Sequence, residues 1–263
     1  MTEFEKEMLK GGYAATMRDV SKLTDEDFSN SRHNGFGASE AAILLGVGFA
    51  KRGKEGKTRD QLYREKLEEY HDDSIGQFSS VRKGKELEHI FIEKAKEQLQ
   101  QDIFKPDESY ICYKTGLAVN FDSVFMYEGH YIPVEIKLAT TYGRNNYNFK
   151  AAYTEEEEDV RNILTAQIPE PFEISNGNPT SLHHGIKGYS EYHGYPAYYY
   201  AQLQQQMYYL KPPFGILAVM DEFNWRMNYF KVSRSDFVIK ILAERARYLY
   251  AMLSAKKGLR FDG

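Results

Sequence analysis

The fold class that the sequence predicts is α/β (α+β), with a central mixed sheet flanked by helices. Two observations predict it. The periodicities in the middle of the chain follow the order helix, strand, strand, strand, helix, strand, which is typical of a sheet covered by helices. The chain has 263 residues, of which 42% are hydrophobic, so we expect one domain over 1–263 with a sizeable core.

The helices are predicted from start signals and from apolar residues at helical spacing. A short helix begins at Ser39, after the glycines of NGFGAS, and ends near Gly46. Thr58 and Gln61 fit a capping box before a helix over 59–70. The other helices are predicted over 84–100, from Pro196 to the residue before Pro212, and over 235–256.

The strands are predicted from alternation of apolar and polar residues. The clearest is YIPVEIKLA (131–139), in which the even positions are apolar and the odd positions carry Glu135 and Lys137. The other strands are predicted near 110–113, 117–126, 214–220 and 225–232. We expect Trp225, at the start of the last of these strands, to lie in the core.

Residues 139–195 show no clear periodicity, and so long an irregular run is unusual inside a compact domain. We therefore expect an insertion with some structure of its own. It could line a binding channel, block one or mediate assembly.

Composition excludes several classes of protein. Cys112 is the single cysteine, which excludes disulfides and cysteine-rich metal sites. The start MTEFEKEMLKGG lacks an apolar signal core and no stretch is long enough to span a bilayer, so we expect a cytoplasmic protein without a membrane partner. The net charge is −4, but basic stretches at 51–59 and 82–85 can hold phosphates locally.

Two carboxylates are predicted to face each other on neighbouring strands. If Glu128–Gly129 is a two-residue turn, Tyr127 pairs with His130 and Asp122 falls opposite Glu135. Carboxylates about 5 Å apart repel unless a cation lies between them. Oxygen ligands suit Mg²⁺ or Mn²⁺ better than zinc.

Two further charged residues belong to the same hypothesis. Glu88 lies on the apolar stripe of its helix with Phe91 and Ile92, where an acid is costly unless it is paired or binds metal. The alternative is an acid in the first turn, stabilised by the helix dipole. Lys137 can hold a water or neutralise charge on a phosphate; the alternative is a surface ion pair with Glu135.

Five motifs in order carry a resemblance to a known family: RHNGFGAS, GKELE (84–88), NFDS (120–123), VEIKL (134–138) and YYAQLQQQMYYL (199–210). The set resembles the phage lambda exonuclease or YqaJ-type viral recombinase group of the PD-(D/E)XK nuclease superfamily. The order of helices and strands matches the restriction-endonuclease-like core of that superfamily.

The resemblance implies a metal-dependent hydrolase and its site. Asp122 and Glu135, with the carbonyl of Ile136, would bind Mg²⁺ or Mn²⁺, and Glu88 would be an outer ligand. The catalytic residues it implies are Glu88, Asp122, Glu135, Lys137 and Gln202. Lys137 would position the nucleophilic water, Gln202 would orient that water or the metal site, and Tyr199 is a possible accessory residue.

The resemblance also implies a pocket for the 5′-phosphate of DNA, formed by Arg32 and Ser39. A hydroxyl at a helix start with a nearby Arg is suited to an anion. The alternative is that Ser39 is an ordinary helix cap.

The implied function is a magnesium-dependent 5′→3′ exonuclease that degrades one strand of linear double-stranded DNA and leaves 3′ single strands for phage-type recombination. The implied partners are duplex ends, a single-strand annealing or recombinase protein, and copies of the chain in a ring trimer, encoded by a phage or prophage in a bacterial host. The alternatives are a PD-(D/E)XK endonuclease, a non-catalytic DNA-binding module, and a generic α/β domain.

Overall fold

The computed structural model describes residues 2–17, 34–46, 57–69, 79–141, 143–154, 160–169 and 194–258. Arg32, most of the basic stretch 51–59 and residues 170–193 lie outside the described residues. The α-helices are α1 Glu3–Lys10, α2 Ala41–Leu45, α3 Arg59–Glu68, α4 Ser79–Leu99, α5 Asn162–Thr165, α6 Ala197–Leu210 and α7 Asp236–Lys257. The strands are β1 Ala14–Met17, β2 Ser109–Cys112, β3 Leu117–Val119, β4 Ser123–Tyr127, β5 His130–Ala139, β6 Tyr153–Thr154, β7 Phe214–Asp221 and β8 Arg226–Ser233.

The main sheet has the strand order β4-β5-β7-β8-β6. Strands β5 and β7 are parallel, and the other neighbours are antiparallel, so the predicted mixed sheet is confirmed. Phe91 and Ala95 of α4 belong to one core cluster with Ile136. Helices α6 and α7 belong to the other cluster, with Leu217 and Val219, so helices cover both faces.

A single strand over 117–126 is wrong. The chain forms β3 and β4 there, and the two strands belong to different sheets. Between them Phe121 is fully buried and Asp122 turns out of the ladder, so the strand is interrupted. Strand β3 joins β1 and β2 in a small antiparallel sheet, which the sequence analysis does not predict.

Helix α4 begins five residues earlier than predicted. Glu88 therefore lies in the middle of the helix, and its interpretation as a first-turn acid is wrong. The capping box of Thr58 and Gln61 is present at the start of α3. Pro196 is the N-cap of α6 and not a residue of its first turn, and the helix ends at Leu210, before Pro212, as predicted.

The described part of 139–195 contains β6, α5 and two 3₁₀ turns, Arg144–Asn146 and Phe149–Ala151. Strand β6 extends the main sheet by pairing with β8. Among the described helices, none combines the length and the hydropathy that a bilayer span requires.

The prediction that Trp225 is a core residue is wrong. Trp225 lies in the turn between β7 and β8, before the first residue of β8, and 47% of it is exposed.

Candidate active site

The hairpin of β4 and β5 has the predicted register. Glu128 and Gly129 both have positive φ, 47° and 79°, as a two-residue turn of the primed type requires. Tyr127 pairs with His130. The ladder ends at the pair Ser123 and Val134. Asp122 precedes Ser123 in the chain, so it lies beside Glu135, the next residue of β5.

Asp122 binds the backbone of β5. Its Oδ2 accepts a hydrogen bond from the N–H of Ile136 at 3.1 Å. Because the N–H and C=O of one strand residue point to the same edge, the carbonyl of Ile136 faces the same side as Asp122. Both groups are thus where the predicted metal ligands should lie.

Glu135 is completely buried, and helix α6 supplies hydrogen bonds to both of its oxygens. The side-chain amide of Gln202 donates to Oε1, and that of Gln206 donates to Oε2. Gln206 is not among the residues predicted from the sequence. Its signal is the spacing of four residues from Gln202, which places both amides on one face of the helix.

Lys137 completes this cluster. Its Nζ pairs with Oε1 of Glu135 and lies 3.6 Å from Oδ2 of Asp122. It also lies 5.6 Å from the ring centroid of Tyr199. Because Glu135 is fully buried, the pair is not a solvated surface ion pair.

Burial and the nearby charge of Asp122 raise the pKa of Glu135. Burial lowers the pKa of Lys137, but the charges of Glu135 and Asp122 outweigh burial and the net shift of that pKa is upward. One ammonium therefore faces two carboxylates. An additional cation would stabilise both carboxylates in their charged form.

The oxygen donors of this cluster are suited to a divalent cation. No group of three or more His, Cys, Asp or Glu residues in the described part of the chain could hold an ion. The oxygens at hand are the carboxylates of Asp122 and Glu135 and the carbonyl of Ile136. This set fits Mg²⁺, which is commonly bound through one or two carboxylates and keeps several waters or phosphate oxygens.

Glu88 lies elsewhere. Its carboxylate pairs with Lys105, and the side chain is 24% exposed. The structure gives it no hydrogen bond to Asp122 or Glu135. Its role as an outer ligand stays a prediction.

Ser39 is exposed and lies inside the 3₁₀ turn Ala38–Glu40, which leads into α2. Gly37 occupies the cap position of this turn, so the interpretation of Ser39 as the helix cap is wrong. The segment before it is tied to α6, because Nε2 of Gln205 donates to the carbonyls of Phe36 and Ala118 at 2.7 Å each. The phosphate role of Ser39 and Arg32 stays a prediction.

Tyr199 is partly buried in an aromatic cluster. Its ring stacks on Tyr147 at 6.3 Å between centroids, and Tyr147 stacks in turn on Phe149 and Phe230. This cluster packs Tyr199 beside Lys137.

Comparisons with known proteins identify the fold. A scan against protein-family models finds no match, and a search of the curated proteins finds none. Among solved structures, the chain is similar to the alkaline exonuclease of Laribacter hongkongensis, with a TM-score of 0.54, 15% identity, and coverage of 89% of this chain and 95% of that one. The complex of that exonuclease with dAMP gives a TM-score of 0.55, 16% identity and the same coverage.

A phage-related exonuclease from Haemophilus somnus is also similar, with a TM-score of 0.50, 14% identity, and coverage of 88% of this chain and 99% of that one. The chain therefore has the fold of these exonucleases. The predicted α/β fold with a central mixed sheet flanked by helices is confirmed, and the chain shares that fold with these exonucleases.

Proposed function

We propose that the protein is a metal-dependent exonuclease that degrades one strand of linear double-stranded DNA in the 5′→3′ direction. The observation that carries the proposal is the buried Glu135, held by two amides beside Asp122 and Lys137. The shared fold of the exonucleases from Laribacter and Haemophilus supports it.

Each residue of the cluster has a role that its contacts support. Gln202 and Gln206 fix the carboxylate plane of Glu135. The N–H of Ile136 fixes Asp122. Lys137, anchored between the two carboxylates, holds the attacking water by a hydrogen bond and stabilises negative charge on the phosphate.

Asp122, Glu135 and the carbonyl of Ile136 would hold Mg²⁺ or Mn²⁺. When bound, the ion supplies positive charge that stabilises the attacking and leaving oxygens of phosphodiester hydrolysis. Glu88 would act from the next shell of ligands.

The 5′→3′ direction rests on Arg32 and Ser39. In this proposal they hold the terminal 5′-phosphate, so that cleavage starts at an end. The 3′ single strand left behind would be delivered to a single-strand annealing or recombinase protein.

The test is digestion of DNA in the presence of Mg²⁺. Linear duplexes with a 5′-phosphate or a 5′-hydroxyl are compared with a closed circle, for the wild type and for Lys137→Ala. The matched control is Lys150→Ala, because Lys150 is exposed and lies in a 3₁₀ turn. We expect nucleotide release from linear DNA alone, faster with the 5′-phosphate, and loss of activity in Lys137→Ala only.

Other outcomes would overturn the proposal in distinct ways. Cleavage of the circle would indicate an endonuclease. No metal-dependent cleavage of any substrate would indicate a binding module. Equal rates on both 5′ ends would remove the role of Arg32 and Ser39 but leave the hydrolysis intact.

We also propose that the chain assembles into a ring of three copies. Light scattering after size exclusion gives the mass directly, and a mass other than three chains would reject this part.

A further inference from the structure

The turn between β7 and β8 exposes two large aromatic side chains. Phe223 is 70% exposed and Trp225 is 47% exposed. Trp225 has φ of 58°, a left-handed conformation that suits glycine and disfavours a bulky residue. The N–H of Trp225 donates to the carbonyl of Asp221 at 2.8 Å, which closes the turn.

A cationic side chain lies over each of these two rings. The guanidinium carbon of Arg144 lies 4.9 Å from the ring centroid of Phe223, and Nζ of Lys83 lies 5.4 Å from that of Trp225. Both cations form ion pairs with carboxylates at the turn, one of them on Asp221, the last residue of β7. Arg144 pairs with Asp221 at 2.9 Å, and Lys83 pairs with Glu222 at 2.6 Å.

A further basic residue of α4 lies beside this turn. Nζ of Lys94 donates to the carbonyl of Trp225 at 3.0 Å. Arg82 and Lys85 are exposed and are neighbours of Lys83 in the sequence. Lys83 and Lys94 thus place two cations of α4 at the aromatic turn, in a protein whose net charge is −4.

The turn also lies next to the candidate active site. The N–H of Glu222 donates to the carbonyl of Ala139, which pairs with Asp221 in the parallel ladder. Ala139 follows Lys137 on β5 by two residues, roughly 7 Å along the strand. A nucleic-acid strand at Lys137 is therefore within reach of Phe223 and Trp225.

We infer that this turn, defined by residues 222–225 with Lys83 and Arg144, binds a single strand of DNA. Bases would stack on Phe223 and Trp225, and phosphates would bind the neighbouring cations. The alternation of rings and cations favours nucleic acid over an apolar protein partner, which would need a continuous apolar surface. The inference rests on the proposed function and assigns to this surface the strand that the reaction leaves single.

The experiment measures binding without cleavage. The full chain carrying Lys137→Ala is titrated into a labelled single-stranded oligonucleotide, and binding is followed by fluorescence anisotropy. The test variant adds Phe223→Ser and Trp225→Gly, the second of which suits the positive φ. The control adds Phe237→Ser and Tyr248→Ser instead, because these aromatics of α7 are 53% and 68% exposed.

We expect the test variant to bind the oligonucleotide about tenfold more weakly or worse, since each stacked base contributes about 5- to 150-fold to affinity and the variant lacks both rings. The control should bind as the parent does. Equal affinity of test variant and parent would overturn the inference, and so would a parent that does not bind single strands.

Two further measurements separate the causes. Light scattering is run on every variant. If the test variant dissociates to a smaller oligomer, the turn is an interface between copies and the inference fails. The wild type is assayed separately for digestion of linear duplex, so that failure of the proposed function is distinguished from failure of this surface.

Discussion

The centre of β5 and the turn between β7 and β8 differ in how far their candidate functional side chains are exposed. Glu135 is fully buried, and three donors fix its two oxygens. Phe223 and Trp225 are exposed, and each lies beside one cation in the part of the chain that the structure describes. In the proposed function, hydrolysis would take place at the buried centre of β5 and strand binding at the exposed turn, two regions that sheet pairing keeps adjacent.

The largest expected effect comes from neutralising the carboxylates of Asp122 and Glu135. Asp122→Asn and Glu135→Gln should each reduce nucleotide release by about 10²-fold or more, because they remove charge at the ligands that would hold the cation. Calorimetric titration with Mn²⁺ alone should also show weaker binding. Unchanged Mn²⁺ affinity in both variants would place the metal elsewhere.

The next largest effect is expected from Gln206, whose amide is the second donor to Glu135. Gln206→Leu leaves Oε2 of Glu135 without its donor, and we expect activity to fall about 10- to 100-fold, as for other residues that orient a ligand. The matched control is Gln101→Leu, in the loop after α4. If Gln206→Leu weakens Mn²⁺ binding no more than the control does, Gln206 has only a packing role.

A smaller effect is expected from a cation of the exposed turn. Lys83→Gln should lower the slope of log affinity for single-stranded DNA against log salt by about 0.7, the value for one lost phosphate contact. Anisotropy titrations at several salt concentrations measure it. Lys150→Gln serves as the control, and an identical slope in both would exclude a phosphate contact by Lys83.

The smallest effect is on stability. Trp225→Gly relieves a left-handed conformation and removes a half-exposed ring, so the free energy of unfolding should change by less than about 1 kcal/mol. Gln206→Leu should cost about 1–3 kcal/mol because it leaves a buried oxygen unpaired. Urea denaturation compares them, and a large loss in Trp225→Gly would mean that the ring packs more firmly than its exposure indicates.

Much of the fold is predictable from local patterns. The alternation in 131–139 gives β5, and the turn at Glu128–Gly129 gives its register with β4. Helix α1 is missed although Thr2 and Glu5 form a capping box that the sequence contains. The break between β3 and β4 is missed because it depends on the burial of Phe121 and the bond of Asp122 to β5, which are tertiary contacts.

The candidate site is predictable where a motif marks it. Asp122, Glu135, Lys137 and Gln202 lie together as the motifs imply. The exposed position of Trp225 is not predictable from composition, because the same residue type is usually buried. The exposure of Trp225 depends on the residue at which β8 begins, because Trp225 lies directly before it.

One helix joins two ends of the proposed substrate path. Gln205 of α6 holds the segment that leads to Ser39, and its neighbour Gln206 holds Glu135. Because these two amides lie on consecutive residues of one helix, the helix fixes the position of the segment before Ser39 relative to Glu135. If Ser39 binds the end of a strand, the distance from that end to the bond that is cut would be constant, and each cycle would release a fragment of the same length.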